Sequence, residues 1–160
     1  MKIGILSDTH NNTDKILKAI EFFNLRQVNF VLHAGDFSFV SSAKHFEKLK
    51  APFMAVFGNN DFETCDLART INKFGQIYDS PYMFVLDGKT FVLTHRICSV
   101  EKHFNYMIYG HTHKPSIQKT PDATFINPGE VWGKRYGRST VAVLETETNR
   151  VEIFDLDLEN

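Results

Sequence analysis

Short apolar runs alternate with amphipathic stretches through the N-terminal part of the chain, and this alternation predicts the architecture. Lys2–Ser7 is almost continuously apolar, as a strand covered on both faces should be. Behind it Ile16, Leu17, Ile20 and Phe23 recur at helical spacing. Asp14, Lys15, Lys18 and Glu21 fall on the wetter side, and Asn12 or Thr13 stands where a cap belongs. Val28–Ala34 predicts a second strand, Ser41–Lys50 a helix, Phe53–Phe57 a third strand opened by Pro52, and Asp61–Asn72 a further helix. Strand, polar turn and helix in repetition imply right-handed crossovers and a parallel sheet.

The pattern then changes. Tyr82–Leu86 and Thr90–Thr94 flank Asp87-Gly88, a strong hairpin signal, and Ser139–Leu144 and Arg150–Phe154 flank a second polar turn around Asn149. The expectation is one α/β domain over residues 1–160, whose sheet or pair of sheets becomes antiparallel toward the C-terminus.

Composition narrows the class. With 42% hydrophobic and 23% charged residues, the chain is an ordinary globular protein large enough to bury a substantial core. Fifteen Phe residues are unusual, and core packing is their expected role. A net charge of −1 gives no support to a broad nucleic-acid or membrane surface. Cys65 and Cys98 lie too far apart in sequence for a C-x-x-C pair, and free thiols suit a reducing compartment. The N-terminus turns polar too soon for a signal peptide, and no apolar run reaches the roughly twenty residues of a bilayer span. A cytoplasmic location is expected.

Chemistry concentrates in five polar clusters at predicted strand ends: Asp8-Thr9-His10, Gly35-Asp36, Gly58-Asn59-Asn60-Asp61, Thr94-His95 and Gly110-His111-Thr112-His113. Their carboxylates, amides and imidazoles are ligand types that suit a pair of divalent first-row metals. Strand ends can converge on one sheet edge, where open α/β sheets bind ligands. In an extended backbone, residues two apart project to the same side, so Asp8 and His10 could both grip one ion; His111 and His113, two apart in an extended or turn segment, complete the pattern. Each cluster has a plainer structural reading. Asp8, Asp36 and Asp61 could cap helices, Asn59 could be a turn residue beside Gly58, and His95 could be a hydrogen-bonded structural histidine. The conjunction of all five in this order favours metal ligands.

In that order, Ser7-Asp8-Thr9-His10, His33-Ala34-Gly35-Asp36, Gly58-Asn59-Asn60-Asp61, Thr94-His95 and Gly110-His111-Thr112-His113 resemble the signature blocks of calcineurin-like metallophosphoesterases. The chain is similar to their small, single-domain prokaryotic phosphodiesterase branch, and Asn127-Pro128-Gly129-Glu130 resembles a further loop of it. The resemblance implies a two-sheet α/β sandwich with flanking helices and mixed parallel and antiparallel strands. It also implies one metal held by Asp8, His10, Asp36 and His113, and a second by Asp36, Asn59, His95 and His111, with Asp36 bridging. The implied function is a dinuclear-metal-dependent phosphoesterase, more a phosphodiesterase than a monoesterase, with a metal-bridging hydroxide as nucleophile. Mn²⁺ is the expected ion, with Fe, Ni, Co, Zn and Mg as alternatives.

Two positions depart from the family pattern. Asn60 stands where larger members carry a His thought to protonate the leaving group, and a neutral amide can only donate a hydrogen bond to a phosphoryl oxygen. Thr94-His95-Arg96-Ile97 replaces a Thr-His-Gly-His run, so Arg96 is either a phosphate clamp or a solvated surface residue. Asn60 and Arg96 are therefore the candidate catalytic residues outside the ligand set. His33 is expected to be structural, His45 lies outside the ligand set, and His103 reads as an ordinary surface or semi-buried residue. Trp132, Lys134, Arg135, Tyr136 and Arg138 read as a solvated loop more than as a substrate platform. The expected partner is a small phosphoester, with no obligatory nucleic acid and no membrane, and with room for a homo-oligomer. The rival is a non-catalytic interaction scaffold on the same fold, like a retromer subunit; complete ligand positions favour the enzyme. The missing basic extensions count against a nuclease.

Overall fold

Four parallel strands form the heart of the first sheet. The structure, a computed structural model, describes residues 1–158. In chain order, β1 (Lys2–Leu6), β2 (Phe30–His33), β3 (Phe53–Val56) and β4 (Gln76–Tyr78) lie side by side and parallel. They are connected by α1 (Thr13–Leu25), by α2 (Val40–Ala43) running into a 3₁₀ turn over Lys44–Lys48, and by α3 (Thr64–Ile71). The second sheet contains β5 (Tyr82–Leu86), β6 (Lys89–Leu93), β7 (Tyr106–Ile108), β8 (Ser116–Lys119) and β9 (Thr124–Asn127), in the order β5-β6-β7-β9-β8. The closing hairpin, β10 (Thr140–Glu145) and β11 (Arg150–Asp155), returns to the first sheet, with β10 antiparallel to β1.

Alternation along the strands divides the core in two. Ile3 and Ile5 of β1, Leu32 of β2 and Val56 of β3 face the second sheet, where they join Phe91, Leu93, Tyr106, Ile108 and Ile126. Leu6, Val31, Phe53 and Ala55 face the other way and pack on Ile16, Ile20, Phe23, Leu67 and Ile71 of the helices. This is the two-sheet α/β sandwich with flanking helices, and both sheets are mixed.

Several local expectations change. The stretch expected as one helix over 41–50 is a single α-turn followed by a 3₁₀ turn. Ser41-Ser42 is a weak helix opening, because hydroxyls compete for backbone groups; the Ser42 hydroxyl bonds Phe37 O, Phe39 O and Asn11 Oδ1 instead. The next helix begins at Thr64 rather than Asp61, whose side chain is engaged elsewhere. The second half is not purely antiparallel: β6, β7 and β9 run parallel. The cap of α1 is Asn12, accepting from Lys15 N and donating through Nδ2 to Trp132 O at 2.8 Å. Among the Phe residues Phe23, Phe37, Phe46 and Phe91 are fully buried, whereas Phe39 and Phe62 are exposed. No helix among the described residues is long and apolar enough to cross a membrane.

His33 ends β2 fully buried and stacked on Phe37 at 3.8 Å. Its Nδ1 accepts from Gly35 N at 3.0 Å, so the ring proton sits on Nε2, 3.2 Å from Thr9 Oγ1. Burial, aided by His95 and His10, pushes its pKa well below the ordinary 6.5, so the native ring stays neutral. The unfolded chain takes up this proton below about pH 6.5 and the native state does not. Stability from this group is therefore present above that pH and lost as pH falls, approaching about 1.4 kcal/mol per pH unit. Urea unfolding of metal-free protein between pH 7 and 5 should show this loss, and His33→Phe should flatten it. An equal slope in the variant would remove His33 as the cause.

Candidate metal centre

The C-terminal ends of β1, β2, β3, β6 and β7 meet at one edge of the sandwich and lead into the five polar clusters, and β9 beside them leads into Asn127-Pro128-Gly129-Glu130. Backbone bonds hold the loops together: Asp8 N donates to Gly35 O, Thr9 N to Asp36 O, and Gly110 N to His95 O. Crowding explains the glycines. A Cβ on Gly58 would lie 2.2 Å from Asp36 Oδ1, and one on Gly110 would lie 1.9 Å from Ser7 Oγ.

The loop backbone is not extended, which corrects the geometric argument from two-residue spacing. Asp8, His10, Asp36, His111 and His113 all have positive φ, between 39° and 67°. Such values are costly for residues with a Cβ, and they cluster where surrounding structure enforces a functional geometry. Asp61 supplies that enforcement at Asp36. Its buried carboxylate accepts from Phe37 N at 2.6 Å, Ser38 N at 2.8 Å, Gly58 N at 2.7 Å and Asp36 N at 3.1 Å. It staples the loop after β2 to the loop after β3 and is not the cap of α3. Burial raises its pKa, and the amides of Gly58, Ser38 and Asp36 pull it back.

The site residues converge as follows. Asp8 Oδ1 lies 3.9 Å from His10 Nε2 and 3.4 Å from His113 Nε2. Asp36 spans the centre, with Oδ2 at 3.4 Å from His10 Nε2 and Oδ1 at 3.5 Å from His95 Nε2. Donor atoms of Asp8, His10 and His113, and separately of Asp8, Asp36 and His95, lie within 4.8 Å of one another. His111 sits on the His95 side, its ring edge-on to His95 at 5.1 Å. Asn59 is exposed, and its Oδ1 accepts from Arg96 Nη2 at 3.2 Å. Asn60 contacts the bridging candidate itself: its backbone N donates to Asp36 Oδ1 at 2.8 Å and its Nδ2 to Oδ2 at 2.7 Å.

The protons are arranged so that nitrogen lone pairs face inward. His95 Nδ1 donates to Ala34 O at 2.8 Å, and His113 Nδ1 donates to the buried Glu130 carboxylate at 2.7 Å. Both Nε2 atoms are thereby left as acceptors. His10 Nδ1 is 3.1 Å from Ser38 Oγ. Burial lowers the pKa of His10, and burial with His95 and the fixed charges of Arg96 and Arg135 lowers that of His111. Neutral imidazoles are the ligating form.

These residues fit divalent cations on chemical grounds. Asp8 Oδ1, His10 Nε2 and His95 Nε2 are buried without a hydrogen-bond partner among the described residues, an unfavourable state for protein alone. Burial pushes the Asp8 carboxyl up to about 6, the penalty of a buried anion that a bound cation relieves.

Two contributors were not assigned a role from sequence. Glu130 is fully buried, and besides His113 it accepts from Tyr136 N at 2.5 Å. Trp132 is half-buried, its ring 4.9 Å from His10, so the loop expected to be solvated carries one wall of the site while Lys134, Arg135, Tyr136 and Arg138 are exposed. An acid and the chain's single Trp close behind the Asn127-Pro128-Gly129 turn were the available signals. Because Glu130 orients His113, Glu130→Gln should weaken cation affinity by about tenfold to a hundredfold, measured by calorimetric titration with Mn²⁺. Unchanged affinity would reduce Glu130 to a packing role.

Comparison with known proteins agrees with this fold. A family model described as the calcineurin-like phosphoesterase superfamily domain matches residues 1–149. A phosphodiesterase of Methanocaldococcus jannaschii is 38% identical over 156 residues, covering 92% of this chain and 94% of its own. A solved structure of an archaeal phosphodiesterase superposes with a TM-score of 0.87 at 36% identity, over 97% of this chain and 99% of that one. Vacuolar protein sorting 29 of Cryptosporidium parvum shares the fold, with a TM-score of 0.68 at 12% identity over 96% of each chain.

Proposed function

Because the chain belongs to the calcineurin-like phosphoesterase superfamily, we propose that it hydrolyses phosphodiesters with the help of two divalent cations, Mn²⁺ by preference. The observation that carries the proposal is the Asp36 carboxylate, which turns one oxygen to His10 and the other to His95 in a pocket of buried, unpartnered acceptors. Asp8, His10 and His113 would share the first cation with Asp36; His95, His111 and Asn59 would share the second with it. When bound, two such cations supply an activated water as nucleophile and neutralise charge on the phosphoryl group.

The chain's own residues do the rest. Glu130 and Ala34 O fix the tautomers of His113 and His95, and Asn60 fixes the plane of Asp36. Trp132 shields the His10 side from water, while Arg96 and Arg135 place fixed positive charge on the His111 side, the sign that draws a phosphoryl anion. With both Asn60 donors on Asp36 and His33 sealed in the core, neither is placed to protonate a leaving group.

A steep rise in rate with leaving-group acidity is therefore expected. Bis-p-nitrophenyl phosphate should be cleaved faster than p-nitrophenyl phosphate with Mn²⁺ present, and aryl diesters should slow markedly as the phenol pKa rises. A faster monoester would overturn the diester preference, and a flat series with rate-limiting chemistry would reveal a general acid. The scaffold alternative shares only the fold with its 12% identical neighbour, and it gives no reason to bury bare acceptors at a sheet edge.

A further inference from the structure

The two halves of this centre differ in charge and in preparation. On the first side, Asp8, Asp36 and, behind His113, Glu130 supply carboxylates, all buried. On the second side, the donors besides Asp36 are neutral: His95, His111 and Asn59. Two guanidinium groups act there, since Arg96 and Arg135 both bear on His111. Arg96 also donates from Nη2 to Asn59 Oδ1 at 3.2 Å, the one side-chain oxygen that Asn59 can offer a cation. Both residues are exposed.

We propose that Arg96 makes the two cation positions unequal: by holding the Asn59 carboxamide oxygen it weakens the second position, so the first fills alone before the second. The inference rests on the two-cation reading above. A carboxamide oxygen has two lone pairs, so Arg96 need not leave for a cation to bind. The guanidinium nevertheless draws electron density from that oxygen and sets a permanent positive charge beside the incoming ion. Among the described residues no guanidinium hydrogen-bonds a donor of the first position, where Asp8 Oδ1 and His10 Nε2 are unpartnered; on the second position the unpartnered atom is His95 Nε2. Arg96 is thus a positioning residue acting through Asn59, and it controls how much cation the protein needs before both positions are filled.

The test is calorimetric titration of the metal-free protein with Mn²⁺, which reads binding and needs no turnover. The native chain should show a tight class and a second class at least roughly tenfold weaker. Arg96→Ala should tighten the second class by roughly tenfold, the effect of removing one charged hydrogen bond and its repulsion, and leave the first class in place. Asn59→Ala should weaken the second class, and Arg96→Ala added to it should recover less than it does alone, since the two act as a pair. Two equally tight classes in the native protein, or a second class that Arg96→Ala leaves unchanged or weakens, would overturn this proposal alone. A second class indifferent to Asn59→Ala would do the same. Uptake of a single ion by native and variant alike would overturn the two-cation reading, and this inference with it.

Discussion

Asp36→Asn is expected to lower phosphodiester hydrolysis by roughly a thousandfold or more and to empty the centre of cations. Each Asp36 oxygen accepts one bond from Asn60 and still faces an imidazole nitrogen, His95 for Oδ1 and His10 for Oδ2. Replacing one oxygen by NH₂ removes a ligand atom from one position and sets a donor against a donor of Asn60. It also deletes the charge that both proposed positions would share. Elemental analysis and the bis-p-nitrophenyl phosphate rate check it together. Full cation content in Asp36→Asn would remove Asp36 from the bridging position.

Asp61→Ala should have the largest effect on the fold around the site. It strands the buried amides of Asp36, Phe37, Ser38 and Gly58, which one carboxylate now satisfies. Removing the acceptor for such a set costs several kcal/mol, about 4 kcal/mol by analogy with breaking other buried charged networks. Those amides belong to the loops that carry Asp36 and Asn59, so cation binding should weaken in parallel. Denaturant unfolding of metal-free protein measures the first effect and Mn²⁺ titration the second. A loss below about 1 kcal/mol would show that water or a shifted loop replaces Asp61 readily.

Much of this was legible in the chain, for identifiable reasons. The buried strands β1, β2 and β3 announce themselves as apolar runs, and Asp87-Gly88 marks the β5–β6 hairpin, because those signals are local. Short strands such as Gln76–Tyr78 and Ser116–Lys119 escaped, since three or four residues with exposed positions carry no period. The candidate ligand residues were legible as a set, but their backbone was not. Positive φ at Asp8, His10, Asp36, His111 and His113 is imposed by tertiary bonds that no local pattern encodes.

Asp61 shows the same limit from the other side. A carboxylate between a strand and a helix reads as a cap, and only the fold shows it turned back onto the loop after β2. Asn60 likewise reads as a weak substitute for an acid until its two donors are seen on Asp36.

The most direct measurement is anomalous diffraction from a crystal of the native protein equilibrated with Mn²⁺. Two peaks are predicted at the strand-end edge, one among Asp8, His10 and His113 and one beside His95 and His111, with Asp36 between them. A fully active protein that shows no peak there, or a single one that Asp36 does not touch, would contradict the two-cation centre.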